Sequence, residues 1–191
     1  GFARSLCDVG VLNPIENKNT EHMTKKTLLA KLKKIKLLAT DVDGVLTDSG
    51  MYYSSDGVEL KKFSTRDGMG LVLLQDSGFA TAIITSEETA IVKNRAVKLQ
   101  IENLFQGCKN KVEAMESLLK KYSLAWNEVA FIGDDVNDLE LMKRVGFAAT
   151  PADGTIKNKK LAHYITAKKG GEGCVRELCD MLLEISEKKK K

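Results

Sequence analysis

Two aspartates that lie two residues apart, Asp41 and Asp43, follow a short apolar run and precede Gly44. A carboxylate in that position can attack phosphorus and form an acyl phosphate, provided that a divalent cation offsets the repulsion between the two anions. The second carboxylate can protonate the leaving oxygen and later deprotonate water. The alternative is an aspartate-rich turn, because Asp and Gly are common turn formers. Other residues must decide between the two interpretations.

A second acidic cluster occupies residues 133–138, directly after the apolar run 129–132. Three aspartates within five positions repel one another unless a hard cation is present, and magnesium takes one or two protein carboxylates together with waters and substrate phosphate. Asp134 is the predicted ligand. The alternative is an N-cap cluster, because Asp is favoured where a helix starts, and this interpretation suits Asp135.

Thr85 and Ser86 follow another apolar run, and Lys111 stands where a later helical pattern begins. A hydroxyl and an ammonium that converge on one phosphate would complement its oxygens and stabilise the transferring group. Taken alone, Lys111 would be interpreted as a solvated surface lysine. The order of the four features favours a shared site, since each lies at the end of a predicted strand or the beginning of a predicted helix.

The elements that would position these residues alternate from residue 36 onward, which is typical of βαβ units and a parallel sheet. Predicted strands cover residues 36–40, 79–85, 103–105, 129–132 and 147–149. Predicted helices cover residues 67–77, 88–99, 111–122, 135–145 and 173–187. The predicted fold class is therefore α/β, a doubly wound and mostly parallel sheet. Ligands bind beyond the carboxyl ends of the strands in such sheets, which is where the candidate residues lie.

Residues 50–63 depart from this succession of strands and helices. Their alternating pattern predicts two strands around a turn at Asp56-Gly57, which is a strong signal of a β-hairpin. The hairpin would project from the carboxyl end of the first strand.

Length and composition limit the other possibilities. A chain of 191 residues with 43% apolar content can bury one good core and is too short for two independent catalytic domains. Residues 1–22 are polar and aperiodic, and Met23 with the three residues after it reads like a natural start. The predicted division is thus an N-terminal extension over residues 1–22 and one domain over residues 23–191.

The net charge of +4 is concentrated in lysines near the two ends of the chain, and the 6% of aromatic residues stand outside the lysine runs. This distribution argues against a nucleic-acid groove. The four cysteines show neither CxxC pairing nor metal-ligand spacing, which predicts reduced thiols. No apolar run approaches the roughly 20 residues of a bilayer span, so a cytoplasmic location without a membrane partner is predicted.

The motif positions resemble the haloacid dehalogenase superfamily over residues 36–184. The matching positions are Asp41 with Asp43, Thr85, Lys111, and Gly133-Asp134-Asp135 with Asp138. The resemblance implies a magnesium-dependent phosphatase without a cap domain, in which Asp41 is the nucleophile and Asp43 the acid and base. The implied metal ligands are Asp41, the backbone carbonyl of Asp43, and Asp134. Thr85, Ser86 and Lys111 would bind the phosphate.

Further segments are similar to the sugar-acid phosphatase branch of that superfamily, namely residues 41–48, the hairpin, Arg66-Asp67-Gly68, residues 104–107 and residues 170–173. The resemblance implies a phosphorylated 2-keto-3-deoxy sugar acid as substrate, with 3-deoxy-D-manno-octulosonate 8-phosphate expected first. The implied substrate-facing residues are Arg66, Glu87, Lys169 and Glu172. It also implies a homotetramer in which the hairpins form a central barrel and a neighbouring subunit completes each active site.

The alternative substrates are 2-keto-3-deoxynononate 9-phosphate and acylneuraminate 9-phosphate. Octulosonate enzymes usually carry arginine where this chain has Glu87 and Glu172, whereas nononate enzymes resemble it better there; Arg66 fits the octulosonate pattern. An alternative of another class is a non-catalytic tetramerisation module in an acylneuraminate cytidylyltransferase pathway. The intact motifs argue against that module, and a nucleic-acid binder ranks last.

Overall fold

The computed structural model describes residues 25–189, so the predicted extension over residues 1–22 lies outside the described residues. Eight strands occur in this range: β1 (Leu37–Thr40), β2 (Tyr52–Tyr53), β3 (Glu59–Leu60), β4 (Ala80–Ile84), β5 (Asn103–Phe105), β6 (Val129–Ile132), β7 (Phe147–Thr150) and β8 (Tyr164–Ile165). The helices of the same range are α1 (Lys25–Leu32), α2 (Thr65–Asp76), α3 (Ala90–Lys98), α4 (Lys111–Tyr122), α5 (Leu139–Arg144), α6 (Ile156–Leu161) and α7 (Cys174–Lys189). None of these helices is long and apolar enough to cross a bilayer.

Six strands form one parallel sheet in the order β5-β4-β1-β6-β7-β8, which confirms the predicted doubly wound α/β class. Strand β1 lies between β4 and β6, with Leu37 opposite Ala80 on one side and Val129 on the other. All four residues of β1 are buried. Its near-continuous apolar sequence follows from this central position, because helices cover both faces of a parallel sheet.

The two faces of the sheet support separate core layers, since successive side chains of a strand point to opposite faces. Leu38 packs in one layer with Leu178 of α7 and Leu71 of α2. Leu37 packs in the other with Met115 of α4 and Leu141 of α5. The sheet is thereby fixed from both sides, and its carboxyl edge is a rigid base for the loops that follow β1, β4 and β6.

The hairpin predicted over residues 50–63 is confirmed, although its strands are short. Strands β2 and β3 pair antiparallel, with Tyr52 opposite Leu60, and Gly57 takes a positive φ of 83° in the turn. An isolated bridge between Thr47 and Phe63 closes the base. The hairpin leaves several large apolar side chains exposed, namely Met51, Tyr52, Tyr53, Val58 and Leu60.

Several predicted boundaries were wrong by a few residues. Helix α2 begins at Thr65, because the Ser64 side chain accepts hydrogen bonds from the first-turn amides, and α3 begins at Ala90 after the Thr89 cap. The helix predicted over residues 135–145 is a 3-10 turn, Val136–Asp138, followed by α5. Elements α1, α6 and β8 were not among the predicted ones.

Candidate active site

A buried ion-pair network lies at the carboxyl edge of the central strands. The Lys111 ammonium, at the start of α4, is 2.6 Å from an Asp41 carboxylate oxygen and 2.6 Å from one of Asp138. The exposed fractions of these side chains are 2% for Lys111, 5% for Asp41 and 0% for Asp138. The Asn110 side chain caps the N-terminus of α4 and so fixes the position of Lys111, the first residue of that helix. Lys111 is therefore a buried, ion-paired cation, unlike the solvated lysine that was its alternative interpretation.

Asp134 brings a third carboxylate to this network. One carboxylate oxygen from each of Asp41, Asp134 and Asp138 lies within 4.8 Å of the others. Burial raises the pKa of Asp41, and the charge of Asp138 raises it further, although Lys111 opposes both effects. Burial and the charges of Asp138 and Asp135 raise the pKa of Asp134 to about 7. The single ammonium thus leaves the cluster short of positive charge.

The donor set fits a hard divalent cation, which prefers carboxylate oxygens. Asp138 is the carboxylate least available to it, because one oxygen contacts Lys111 and the other accepts hydrogen bonds from the Asp134 and Asp135 amides at 2.9 and 3.3 Å. Asp138 therefore orients Lys111 and the loop after β6. Asp41 and Asp134 remain the best candidates for binding magnesium.

Gly44 allows the loop after β1 to approach the loop after β6. Its φ is +78°, a conformation that favours glycine, and a Cβ at this position would overlap the Asp134 carboxylate. The glycine that follows the acidic pair in the sequence is thus required by contact with the second acidic cluster.

Asp43 lies two residues beyond Asp41 and is partly exposed. Its carboxylate accepts a long hydrogen bond from the Thr47 hydroxyl at 3.4 Å and lies 2.6 Å from the Lys61 ammonium. Sequence reasoning missed Lys61. Its signal was the alternation of the hairpin, which places residues 59 and 61 on one face and makes an acidic and a basic side chain neighbours.

The predicted phosphate-binding residues Thr85 and Ser86 follow β4, next to β1 in the sheet. Thr85 is buried, and its backbone pairs with Phe105 and Cys108. Ser86 is exposed and accepts a hydrogen bond from the Asn137 side chain at 3.0 Å. The loops after β4 and β6 therefore meet at the same edge that carries Asp41.

The four predicted substrate-facing residues have different environments. Glu87 lies 2.8 Å from the Lys61 ammonium and so joins the surroundings of Asp43. Arg66, Lys169 and Glu172 are exposed, and within residues 25–189 they make no ion pair with the buried cluster. The fold brings Glu87 to the site and leaves the other three at the surface of this chain.

The segment 170–174, which we name the glycine strap, packs against the loop after β1. The Gly171 amide donates to the Val45 carbonyl at 2.9 Å, and a Cβ on Gly170 would overlap the Gly44 carbonyl. Buried Asp67 accepts hydrogen bonds from the Gly173 amide at 3.1 Å and the Arg176 amide at 2.7 Å. Asp67 thereby holds the start of α7 and the strap in place. This is a function that the motif around Asp67 did not reveal.

Comparison with known proteins identifies the family. The family model of haloacid dehalogenase-like hydrolases matches residues 81–178. The 3-deoxy-D-manno-octulosonate 8-phosphate phosphatase KdsC of Escherichia coli is 42% identical over 156 residues, covering 82% of this chain and 83% of the relative.

Solved structures give the same result. The 3-deoxy-D-manno-octulosonate 8-phosphate phosphatase of Moraxella catarrhalis, in complex with magnesium, phosphate and KDO, is 40% identical with a TM-score of 0.82, covering 85% of this chain and 93% of that one. The cobalt-bound deoxy-D-mannose-octulosonate 8-phosphate phosphatase of Haemophilus influenzae is 35% identical with a TM-score of 0.79, covering 83% and 92%. The chain belongs to the haloacid dehalogenase-like hydrolases, in the family that includes these octulosonate phosphatases.

Proposed function

We propose that this protein is a magnesium-dependent phosphatase that hydrolyses the phosphate monoester of a 2-keto-3-deoxy sugar acid, with 3-deoxy-D-manno-octulosonate 8-phosphate as the first substrate. The observation that carries the proposal is the buried Asp41 carboxylate. It is held by Lys111 at 2.6 Å, and one of its oxygens lies within 4.8 Å of an oxygen of Asp134, so both carboxylates can bind one cation. The E. coli relative bears this activity in its name, and the Moraxella structure holds magnesium, phosphate and the sugar acid itself.

Magnesium would be held by the carboxylates of Asp41 and Asp134 and by the backbone carbonyl of Asp43. When bound, it supplies the positive charge that lets an anionic nucleophile approach an anionic phosphate. The raised pKa values of Asp41 and Asp134 support this assignment, because burial and the charge of Asp138 disfavour their ionised forms, which a bound cation would stabilise.

The chemistry then proceeds in two steps. An Asp41 oxygen forms a bond to phosphorus while the bond from phosphorus to the sugar oxygen breaks, and Asp43 gives that oxygen its proton. Asp43 next takes a proton from water, whose oxygen bonds to phosphorus as the bond to Asp41 breaks and inorganic phosphate leaves. Thr85, Ser86 and Lys111 hold the phosphoryl oxygens throughout.

The identity of the sugar acid is the finer question. Glu87 and Glu172 support the nononate 9-phosphate and acylneuraminate 9-phosphate alternatives, because nononate enzymes resemble this chain better at these two positions. All three substrates carry a carboxylate, which a glutamate repels and an arginine would bind. Glu87 is already paired with Lys61, which reduces that repulsion and keeps octulosonate 8-phosphate first.

The test is phosphate release from octulosonate 8-phosphate, nononate 9-phosphate and acylneuraminate 9-phosphate in parallel. We expect release that requires magnesium, is fastest with octulosonate 8-phosphate, stops with EDTA and returns with excess magnesium. A clear preference for either nine-carbon substrate would change the assigned sugar acid. Absence of release from all three would instead favour the non-catalytic assembly module.

We further propose a homotetramer assembled through the hairpins. An isolated two-stranded hairpin is marginally stable in water, and unpaired strand edges readily pair with another chain. The exposed side chains of Tyr53 and Leu60 offer apolar surface to such a contact. The predicted cytoplasmic location stays a prediction.

Light scattering is expected to give four chain masses for the wild type, whereas the variant with Tyr53→Asp and Leu60→Asp should be smaller. Val97→Asp, at an exposed position on α3, is the matched control and should keep the tetramer. A wild type that is monomeric at micromolar concentration would refute the assembly.

A further inference from the structure

One buried ammonium next to the loop after β1 has no part in the steps proposed above. Lys61 follows β3 directly, and only 1% of its side chain is exposed. Its Nζ lies 2.6 Å from Asp43 Oδ1, 2.8 Å from Glu87 Oε2 and 3.6 Å from Glu59 Oε1. One cation therefore serves three carboxylates that come from three separate segments of the chain.

The charge of Lys61 is kept by these partners. Two carboxylates at hydrogen-bond distance, those of Asp43 and Glu87, offset the burial of its ammonium. A buried cation is tolerated only where paired and hydrogen-bonded in this way, and removal of a partner is costly. The ion pairs with Asp43 and Glu87 thus connect the hairpin to the loops after β1 and β4.

Asp43 depends on this contact for its orientation. Among the described residues, the other side-chain hydrogen bond to its carboxylate comes from the Thr47 hydroxyl and is long at 3.4 Å, and 34% of the Asp43 side chain is exposed. Hydrogen bonds in which both groups are charged are roughly twice as strong as neutral ones. Lys61 therefore provides the stronger restraint on the Asp43 carboxylate.

We propose that Lys61 is a positioning residue for proton transfer: its ammonium holds Asp43 by Oδ1, so that Oδ2 carries the proton that the leaving oxygen receives, and Glu87 holds Lys61 from the other side. The inference rests on the proposed acid–base role of Asp43. It also gives the hairpin a second role, since the hairpin carries the side chain that orients the acid.

The chemistry of the leaving group separates this role from a general structural one. An alkyl oxygen leaves phosphorus only with a proton, whereas p-nitrophenolate is stable enough to leave without one. A misplaced Asp43 therefore slows formation of the phospho-aspartyl intermediate with an alkyl phosphate and hardly affects it with p-nitrophenyl phosphate. Breakdown of the intermediate still needs Asp43 to activate water, so the intermediate accumulates with the aryl substrate.

The experiment measures kcat/KM for Lys61→Met with a sugar-acid phosphate and with p-nitrophenyl phosphate, both with magnesium. We expect a loss of about 100-fold with the sugar-acid phosphate, the usual contribution of general acid catalysis, and a loss of only a few-fold with the aryl phosphate. A burst of p-nitrophenolate should appear in the variant. The matched control is Lys62→Met, which removes an adjacent lysine that is 60% exposed and pairs with Asp48 at 3.3 Å.

Lys61→Arg should recover most of the lost rate, because a guanidinium can pair with both carboxylates. Equal losses with the two substrates, or no loss with either, would overturn the inference. If Lys61→Met does not fold, Lys61→Gln permits the same comparison. A wild type that rejects every sugar-acid phosphate contradicts the proposed function only, because the comparison can be made with any alkyl phosphate that the enzyme hydrolyses.

Discussion

Asp41→Asn is expected to abolish turnover while the protein remains folded. The amide is a far weaker nucleophile than the carboxylate, and loss of the attacking group typically costs a factor of about 10⁴ or more in kcat. The fold should tolerate the change because the two side chains have the same shape. Burial disfavours the charged form of Asp41 and raises its pKa, and Lys111 keeps Asp138 as a partner when position 41 carries an amide.

The measurements are phosphate release, thermal unfolding without magnesium, and the mass of the protein after brief exposure to substrate. Wild type should show the added phosphoryl group when quenched in acid, and Asp41→Asn should not. Asp76→Asn, at an exposed position near the end of α2, is the control and should match the wild type. Substantial turnover by Asp41→Asn, with the asparagine verified by mass, would refute the nucleophile assignment.

Lys111→Met is expected to lose both activity and stability. The substitution leaves the carboxylates of Asp41 and Asp138 buried without their shared partner. Removing one member of a buried ion pair costs about 3–5 kcal/mol in the free energy of unfolding. Loss of a cation that stabilises the transferring phosphoryl group should also lower kcat by about 10²–10³-fold.

Urea unfolding without magnesium measures the first effect, and phosphate release measures the second. The control is Lys120→Met, which alters an exposed lysine of the same helix and should change the free energy of unfolding by less than about 0.5 kcal/mol. Adding Asp138→Asn to the Lys111→Met variant should restore part of the stability, because it removes one of the two charges left without a partner. An unchanged free energy of unfolding in Lys111→Met would show that the ion-pair network does not stabilise the fold.

The sheet could be predicted because its signal is local and strong. Strands β1, β4 and β6 are runs of four or five residues that are apolar except for Thr40 and Thr81, as expected where helices cover both faces. The edge rule for parallel sheets then places Asp41, Thr85 and Asp134 together without knowledge of any contact. The sequence was therefore sufficient to predict that the candidate residues lie together at the carboxyl edge of the sheet.

Elements without such a signal were missed. Strand β8 has two residues, and α6 has six, most of them polar. The helix predicted over residues 135–145 begins with a 3-10 turn because the Asp138 side chain reaches back to the amides of residues 134 and 135. Periodicity cannot show that a side chain competes for the backbone in this way.

The missing parts of the site share one cause. Lys61 and Asp67 act through partners that are distant in sequence, Asp43 and Glu87 for the first and the start of α7 for the second. Their roles depend on which loops meet, and local patterns carry no information about that. The exposed positions of Arg66, Lys169 and Glu172 show the same limit, since a motif identifies residues but not the groups that they contact.

The glycine strap also links catalysis to the order of protein synthesis. The loop after β1 is supported by residues that follow it by well over a hundred positions, as in the hydrogen bond from the Cys174 thiol to the Val45 carbonyl, which spans 129 residues. Contacts of such long range form late, after the entropy of closing the intervening chain has been overcome. While the ribosome is still making residues before the strap, the emerging chain therefore contains Asp41 and Asp43 but cannot hold them in place. We therefore expect phosphatase activity to be gained only when α7 has emerged and docked.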